Sequence, residues 1–324
     1  MQATWRSRSG ARAVITALAG ALVLGLSGCG ATEDAPGGGG ATIAHAYGET
    51  VVGPAPVRIV ALGNQWLDAV QALGVTPVGY IDNVAIGSSS TPPWEPESLK
   101  SAKALDSGGD IVEQVAALAP DLILAEPFLA DRPTYDKLTK IAPTLPGLVD
   151  GALTPWQDQV TALGKVLGKQ DAAAEVIGKV DGKLDALAAQ HPGLRGKTFA
   201  STYLASPTQL MVLNSTNDAS TNLFTRLGMG IPANIKALPA TMGRAALSPE
   251  RTDELTADLL LAGHANGLEE KYRQLPGYDN LPAVRKQAVV FLDFTDISAI
   301  NQPTPLSMPY VLDKLTPALT AAAA

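Results

Sequence analysis

The side chains of this sequence that could make or break a covalent bond form no recognisable catalytic pattern. His45, His191 and His264 lie near the N-terminal segment, at a helix end and after a strand, in no ligand spacing. A metal centre needs clustered imidazoles and carboxylates, so none is expected. The chain has one cysteine, Cys29, and therefore no internal disulfide. It carries no Gly-x-Ser-x-Gly elbow and no phosphate loop. Gly228-Met229-Gly230-Ile231-Pro232-Ala233 has the spacing of a dinucleotide fingerprint. It follows a helical stretch, however, and Pro232 breaks the turn-to-helix geometry that the motif requires. No catalytic constellation results, and the chain is not expected to be an enzyme. What remains is the chemistry of recognition. Aromatic residues make up only 5% of the chain, so the positions of Trp66, Trp94, Phe128 and Tyr203 carry weight. They suit stacking against a large ligand that has apolar and π faces, and Arg244 and the loop ending at Asn301 are further candidates.

Side chains of this kind must be aimed by a scaffold, and the sequence describes one. From Val57 onward, apolar bursts alternate with helical periods: VRIVAL (57–62), a helix from Gln65 to Leu73, VTPVGYI, a helix around Tyr135–Ile141 and a short strand near Thr144–Val149. GSSSTPPWEPESL (87–99) interrupts as a polar loop carrying Trp94. Nearly the same nonapeptide is written twice, ALAPDLILA (117–125) and ELTADLLLA (254–262), each after a helix-like stretch. This predicts one helix–strand unit used at matching places in two similar lobes. Residues 156–191 contain no strand burst. Val176, Ile177, Val180, Leu184 and Leu187 recur there on one helical face, and His191-Pro192-Gly193 ends the run. The second block has two strands around the turn SPTQ, a helix at Ala219–Leu227, a strand at 288–294 and a last helix at Leu306–Leu315. The pattern predicts an α/β fold of two αβ lobes with mostly parallel sheets, joined by a long helix. In open α/β sheets ligands bind outside the carboxyl ends of the strands. That rule places Trp66, the Trp94 loop, Phe128, Tyr203 and the Asp293–Asn301 loop at the cleft. For Trp66 a place in the helix core is the competing reading. A surface ion pair competes for Arg244, and Trp156, which opens a helix, reads as packing.

The N-terminus gives the address. Arg6, Arg8 and Arg12 precede an apolar run of 13 residues, Val14 to Leu26. That is short for a bilayer span, which takes ~20 residues, and fits a signal-peptide core. Leu26-Ser27-Gly28-Cys29 then resembles a bacterial lipobox, in which the peptide is cut before a lipid-bearing cysteine. The expected organisation is a signal peptide over 1–28, a flexible tether over 29–44, an N-terminal lobe over 45–154, a helical connector over 155–192 and a C-terminal lobe over 193–324. Cleavage removes three arginines, leaving 21 Lys+Arg against 31 Asp+Glu and a net charge of −10. A chain this acidic is a poor partner for nucleic acid.

Six segments, in order, are similar to the iron-siderophore substrate-binding lipoproteins of bacterial ABC importers, a resemblance that implies two Rossmann-like lobes bridged by one long helix, with a ligand cleft between them. They are VRIVALGNQWLDAVQALGVTPVGY (57–80), EQVAALAPDLILA (113–125), YDKLTKIAPT (135–144), ALGKVLGK (162–169), LSPERTDELTADLLL (247–261) and PLSMPYVLDKL (305–315). The resemblance implies a monomer held at the outer face of the cytoplasmic membrane by lipid on Cys29. It implies capture of a ferric siderophore as transported ligand, with no permanent cofactor, and delivery to an ABC permease and its ATPase. The single good cationic candidate, Arg244, leans toward a hydroxamate-type ferric complex rather than a catecholate. Haem and cobalamin remain open within the family, and a surface-anchored adhesion module is the alternative outside it. The family presents a surface carboxylate on each lobe to permease arginines. In the second lobe the matching residue is Glu250, whose charge the helix start would also favour locally. In the first lobe, where relatives often carry Glu, Asp131 or Asp136 is the candidate.

Overall fold

Both copies of the repeated nonapeptide fold as the fourth strand of a five-stranded sheet. The computed structural model describes residues 40–150 and 153–324; the signal peptide, Cys29 and the tether up to residue 39 lie outside the described residues. A hairpin, β1 (Ala41–His45) and β2 (Gly48–Val52), precedes the sheets. The first sheet has the order β5 (Lys103–Ala104), β4 (Gly79–Ile81), β3 (Ile59–Leu62), β6 (Leu122–Ala125), β7 (Thr144–Leu145), with every pairing parallel. The second has the order β10 (Arg244–Leu247), β9 (Gln209–Leu213), β8 (Phe199–Ser206), β11 (Leu259–His264), β12 (Val289–Leu292). There β8, β11 and β12 are parallel, while β9 and β10 run antiparallel at one side.

The aspartate of each repeat explains why the unit recurs. Asp121 accepts the backbone N–H groups of Val57 (2.9 Å) and Arg58 (2.8 Å) at the entrance to β3. Asp258 accepts the N–H (2.9 Å) and hydroxyl (3.0 Å) of Thr198 at the entrance to β8. In both lobes the carboxylate ties off the start of the neighbouring parallel strand, whose first donors would otherwise lack partners. The apolar bursts that follow alternate between the two faces. Leu122 and Leu124 of β6 join the main core, whereas Ile123 and Ala125 join a smaller core with Val60, Leu62 and Leu138. A strand buried on both faces must be apolar throughout, and this one is.

The connector is two helices, Trp156–Leu167 and Gln170–Gln190, joined at Gly168, which takes a left-handed conformation (φ 64°). Gly164 lets them close: a Cβ there would lie 2.6 Å from that of Ala173. The longer helix buries Ala173, Val180, Leu184 and Leu187. On its polar side Asp181 and Asp185 pair with Arg226 at 2.5 and 2.7 Å.

Several local expectations shift. The hairpin begins at Ala41, inside the segment expected to be tether. The stretch expected as the loop Asp293–Asn301 is a helix, Phe294–Asn301, closed at its start by a reciprocal cap between Asp293 and Asp296. The 87–99 loop contains the end of a helix, Asn83–Ser88, and the start of a 3-10 turn, Glu97–Ser101. The last helix runs Ser307–Ala323, through Pro317.

Candidate functional site

Arg244 opens the edge strand β10 because the chain reverses just before it. Met242 (φ 50°) and Gly243 (φ 74°) are both left-handed, and Thr241 and Arg244 exchange backbone hydrogen bonds across them. This is the two-residue turn whose twist suits an antiparallel pair. Gly243 is needed for space as well, since a Cβ there would lie 2.7 Å from Ser215. The guanidinium then projects between two cavities. Nη1 donates to Asp218 (2.8 Å) and Nη2 to the amide oxygen of Asn301 (3.3 Å).

The larger cavity, about 540 Å³, lies between the loop around Thr154, the bridging helix at Val180–Leu184 and the second lobe. The smaller, about 270 Å³, sits over the second sheet beside Tyr203, Met211, Phe294 and Ile297. Arg244 and Asn301 line both. Volumes of this order hold ligands of drug size or larger when joined.

The electrostatics of the larger cavity are balanced. Its charged lining residues, among those described, are Asp181, Asp218, Arg226 and Arg244, two of each sign. They are paired, Asp181 with Arg226 and Asp218 with Arg244. Burial pushes the Asp218 carboxyl up, but hydrogen bonds from Ser220 and the Arg244 guanidinium outweigh it and hold the group below the usual carboxylate range. Asp218 also caps the helix Ala219–Arg226. Met242, 95% exposed, and Leu153 add apolar surface at the rim.

Of the residues singled out from sequence, Tyr203, Arg244 and Asn301 come together at the cavities. Trp66 does not: it has no exposed surface and sits in the main core. Its helix, Asn64–Ala72, is buried along nearly its whole length, so the face carrying Trp66 has no route to solvent. Trp94 is half-buried between the lobes. Its Nε1 donates to Asp68 at 3.0 Å and its ring packs 5.4 Å from that of Tyr310; it lines neither cavity. Phe128 is 54% exposed beyond β6 and also lines neither. Trp156, expected as packing, is buried and contributes to the larger cavity wall. Glu250 is exposed in the 3-10 turn Pro249–Glu254. Asp131 is exposed and caps the helix Arg132–Leu138, while Asp136 pairs with Arg132 at 2.9 Å. Sequence reasoning missed Asp218 and the Asp181–Arg226 pair. The cap position of Asp218 before a predicted helix was a legible signal; its partner 26 residues away was not.

Two buried acids stand behind the site. Glu126 follows β6 and accepts the Gln65 N–H (2.6 Å) at the start of the helix Asn64–Ala72. Burial nevertheless pushes its carboxyl up to about 8. Asp68, on the same helix, accepts from Trp94 and from the hydroxyl of Thr304 (2.5 Å), and burial pushes it up to about 7. Among the described residues no group of three or more His, Cys, Asp or Glu gathers as a metal centre.

The chain is 34% identical over 141 residues to the "Probable siderophore-binding lipoprotein YfiY" of Bacillus subtilis, a match covering 42% of this chain and 41% of that one. That match spans about two fifths of the relative's length. Similarity to the Fe(3+)-citrate-binding protein YfmC of the same organism is longer: 26% identity over 286 residues, 83% of this chain and 85% of the other. Among solved structures, a periplasmic solute binding protein from Mycobacterium smegmatis superposes with a TM-score of 0.71 at 27% identity, covering 88% of this chain and 99% of that one. Residues 59–295 match the family model described as periplasmic binding protein. Two α/β lobes on a helical connector and this match over most of the chain make it a member of the periplasmic binding protein family.

Proposed function

We propose that this protein captures a ferric siderophore for a bacterial ABC importer and holds it at Arg244 and Asn301, with Tyr203 against one face. The iron arrives already wrapped in its chelator and is cargo. The names of the two Bacillus subtilis relatives, one siderophore-binding and one ferric-citrate-binding, support iron chelates as the ligand class. A lipid on Cys29 would hold the protein at the outer face of the membrane, in keeping with the relatives called lipoproteins. Glu250, with Asp131 or Asp136, would meet the permease.

The observation that carries the finer reading is the pairing of Arg244 with Asp218 inside a cavity whose lining charges cancel. A ferric tricatecholate bears three net negative charges and would need surplus cations. Three hydroxamates balance Fe³⁺, and that neutral complex asks only for hydrogen bonds to its oxygens and apolar contact with its backbone. The guanidinium fork and the Asn301 amide supply the first; Met242, Leu153 and Met308 supply the second.

The test is titration of the full-length protein, in detergent, with a ferric trihydroxamate, a ferric tricatecholate, ferric citrate, haem and cobalamin, followed by tryptophan fluorescence. The trihydroxamate should bind tightest and quench, because Trp156 lines the cavity. Arg244→Ala leaves Asp218 unpaired and should weaken that binding by ~10–100-fold. Tightest binding of the tricatecholate would remove the hydroxamate preference. Binding of haem or cobalamin alone would remove the siderophore.

A further inference from the structure

The cavity walls come from distant parts of the chain, and one side chain reaches both. Gln65 is buried at the start of the helix Asn64–Ala72, 2% exposed. Its Nε2 lies 3.3 Å from the carbonyl oxygen of Thr154 and 3.3 Å from that of Pro303. Thr154 belongs to the first-lobe side of the larger cavity, and Pro303 follows Asn301 on the second-lobe side. A glutamine amide carries two N–H donors on one nitrogen, which is what two facing carbonyls require. A carboxylate has no donor, and an aliphatic side chain would leave the buried Thr154 carbonyl and the part-buried Pro303 carbonyl without this partner.

Two neighbouring contacts give the same side of the molecule a fixed spacing. Asp68, one helical turn from Gln65, accepts the Thr304 hydroxyl, and Thr304 in turn accepts the Ser307 N–H at 2.9 Å. Gly87 is pressed against Phe294, a residue of the smaller cavity: a Cβ there would lie 2.2 Å from the ring. All three contacts join first-lobe residues to the segment 294–307 that carries Asn301.

We propose that Gln65 is a positioning residue whose amide fastens the Thr154 wall to the Pro303 wall and thereby sets the width of the ligand cavity and the placement of Asn301. Gln65 touches no ligand; it acts through the two carbonyls. The proposal rests on the reading of this cavity as the ligand site, but its structural half is measured without ligand.

Hydrogen–deuterium exchange of the full-length protein, resolved by segment, is compared between wild type, Gln65→Met and Gln65→Glu. Both variants keep the side-chain length and lose the neutral double donor. Exchange should rise about tenfold or more in 153–157 and in 301–307, as expected for loss of a buried hydrogen-bonded tie, while β3 and β11 stay protected. With a ferric trihydroxamate as probe, the dissociation rate should rise about tenfold with little change in association rate. Unchanged exchange in the two segments would overturn the proposal. So would a uniform loss of protection across both lobes in both variants, because Gln65 would then be a general packing residue. If wild type binds no chelate, the functional reading fails while the exchange result still decides the role of Gln65.

Discussion

Glu126 shows how local geometry and burial compete for one proton. It faces the N-terminal end of a helix, where the dipole and the Gln65 N–H favour a carboxylate. Gly63, at φ 113°, makes room for it: a Cβ there would lie 2.4 Å from the carboxyl carbon. Desolvation is the larger effect, and Oε2 has no protein partner. The folded state thus keeps its proton up to about 8, whereas the unfolded chain releases it near 4.5. Across that window the folded state binds more protons than the unfolded, so this group's contribution to stability falls as pH rises. Glu126→Gln cannot titrate and removes the fall. Melting followed by circular dichroism should show the variant gaining on wild type between about pH 5 and about pH 8.5. Parallel pH profiles for the two proteins would mean that Glu126 is already ionised in the folded state.

At the scale of elements, the repeated nonapeptide is a strand with its own lock on the strand beside it. Asp258 accepts two hydrogen bonds from Thr198 and lies near Lys197 and Lys286, each at 3.7 Å. Partial burial pushes the Asp258 carboxyl up, but the Thr198 bonds and the two lysines win and hold it below the usual carboxylate range. The stability it contributes is therefore present above the ordinary carboxylate pKa and is lost as pH falls through the lower folded value. Asp258→Ala unties the entrance to β8 and should cost about 1–3 kcal/mol, measured by urea unfolding at neutral pH. Asp258→Asn retains one acceptor and should cost less. Equal stability of Asp258→Ala and wild type would show that water replaces the carboxylate at no cost, and that the recurrence of aspartate serves something other than strand entry.

At the scale of the molecule, the proposed delivery to a membrane permease turns on exposed carboxylates of the two lobes. Glu250 is exposed on the second lobe, and its local neighbour Ser248 already caps the turn that carries it. Glu250→Ala should leave chelate affinity within about twofold of wild type, as surface substitutions usually do, while lowering uptake of labelled iron in cells. On the first lobe the Asp131 carboxylate accepts the Thr134 N–H at 3.0 Å as a helix cap. Asp131→Asn keeps an N-cap residue and removes the charge, so it separates docking from folding. Full uptake by the combined Glu250→Ala, Asp131→Asn and Asp136→Ala protein would remove these carboxylates from the contact with the permease.

What the sequence determined by itself is whatever depends on near neighbours. Apolar bursts between helical periods specify βα units, and strands such as LILA, with no polar residue on either face, specify a sheet covered on both sides. The α/β class, the two lobes and the helical stretch between them follow from such local patterns, and the family follows from six matching segments in order; Tyr203, however, lies within β8, and Asn301 ends a helix where a loop was expected. Tertiary structure decided which face of each element meets what. Trp66 and Trp94 both read as cleft residues, because spacing alone does not say how a helix or loop is turned. Packing turned Trp66 into the core, and the Asp68 carboxylate drew Trp94 into the contact between lobes. The charge balance at the cavity was equally hidden, because Asp218 and Arg244 stand 26 residues apart and meet only when β10 folds back beside β9. Periodicity carries information over three or four residues. Pairing across a sheet edge or between lobes is settled by burial and hydrogen bonding summed over the whole fold.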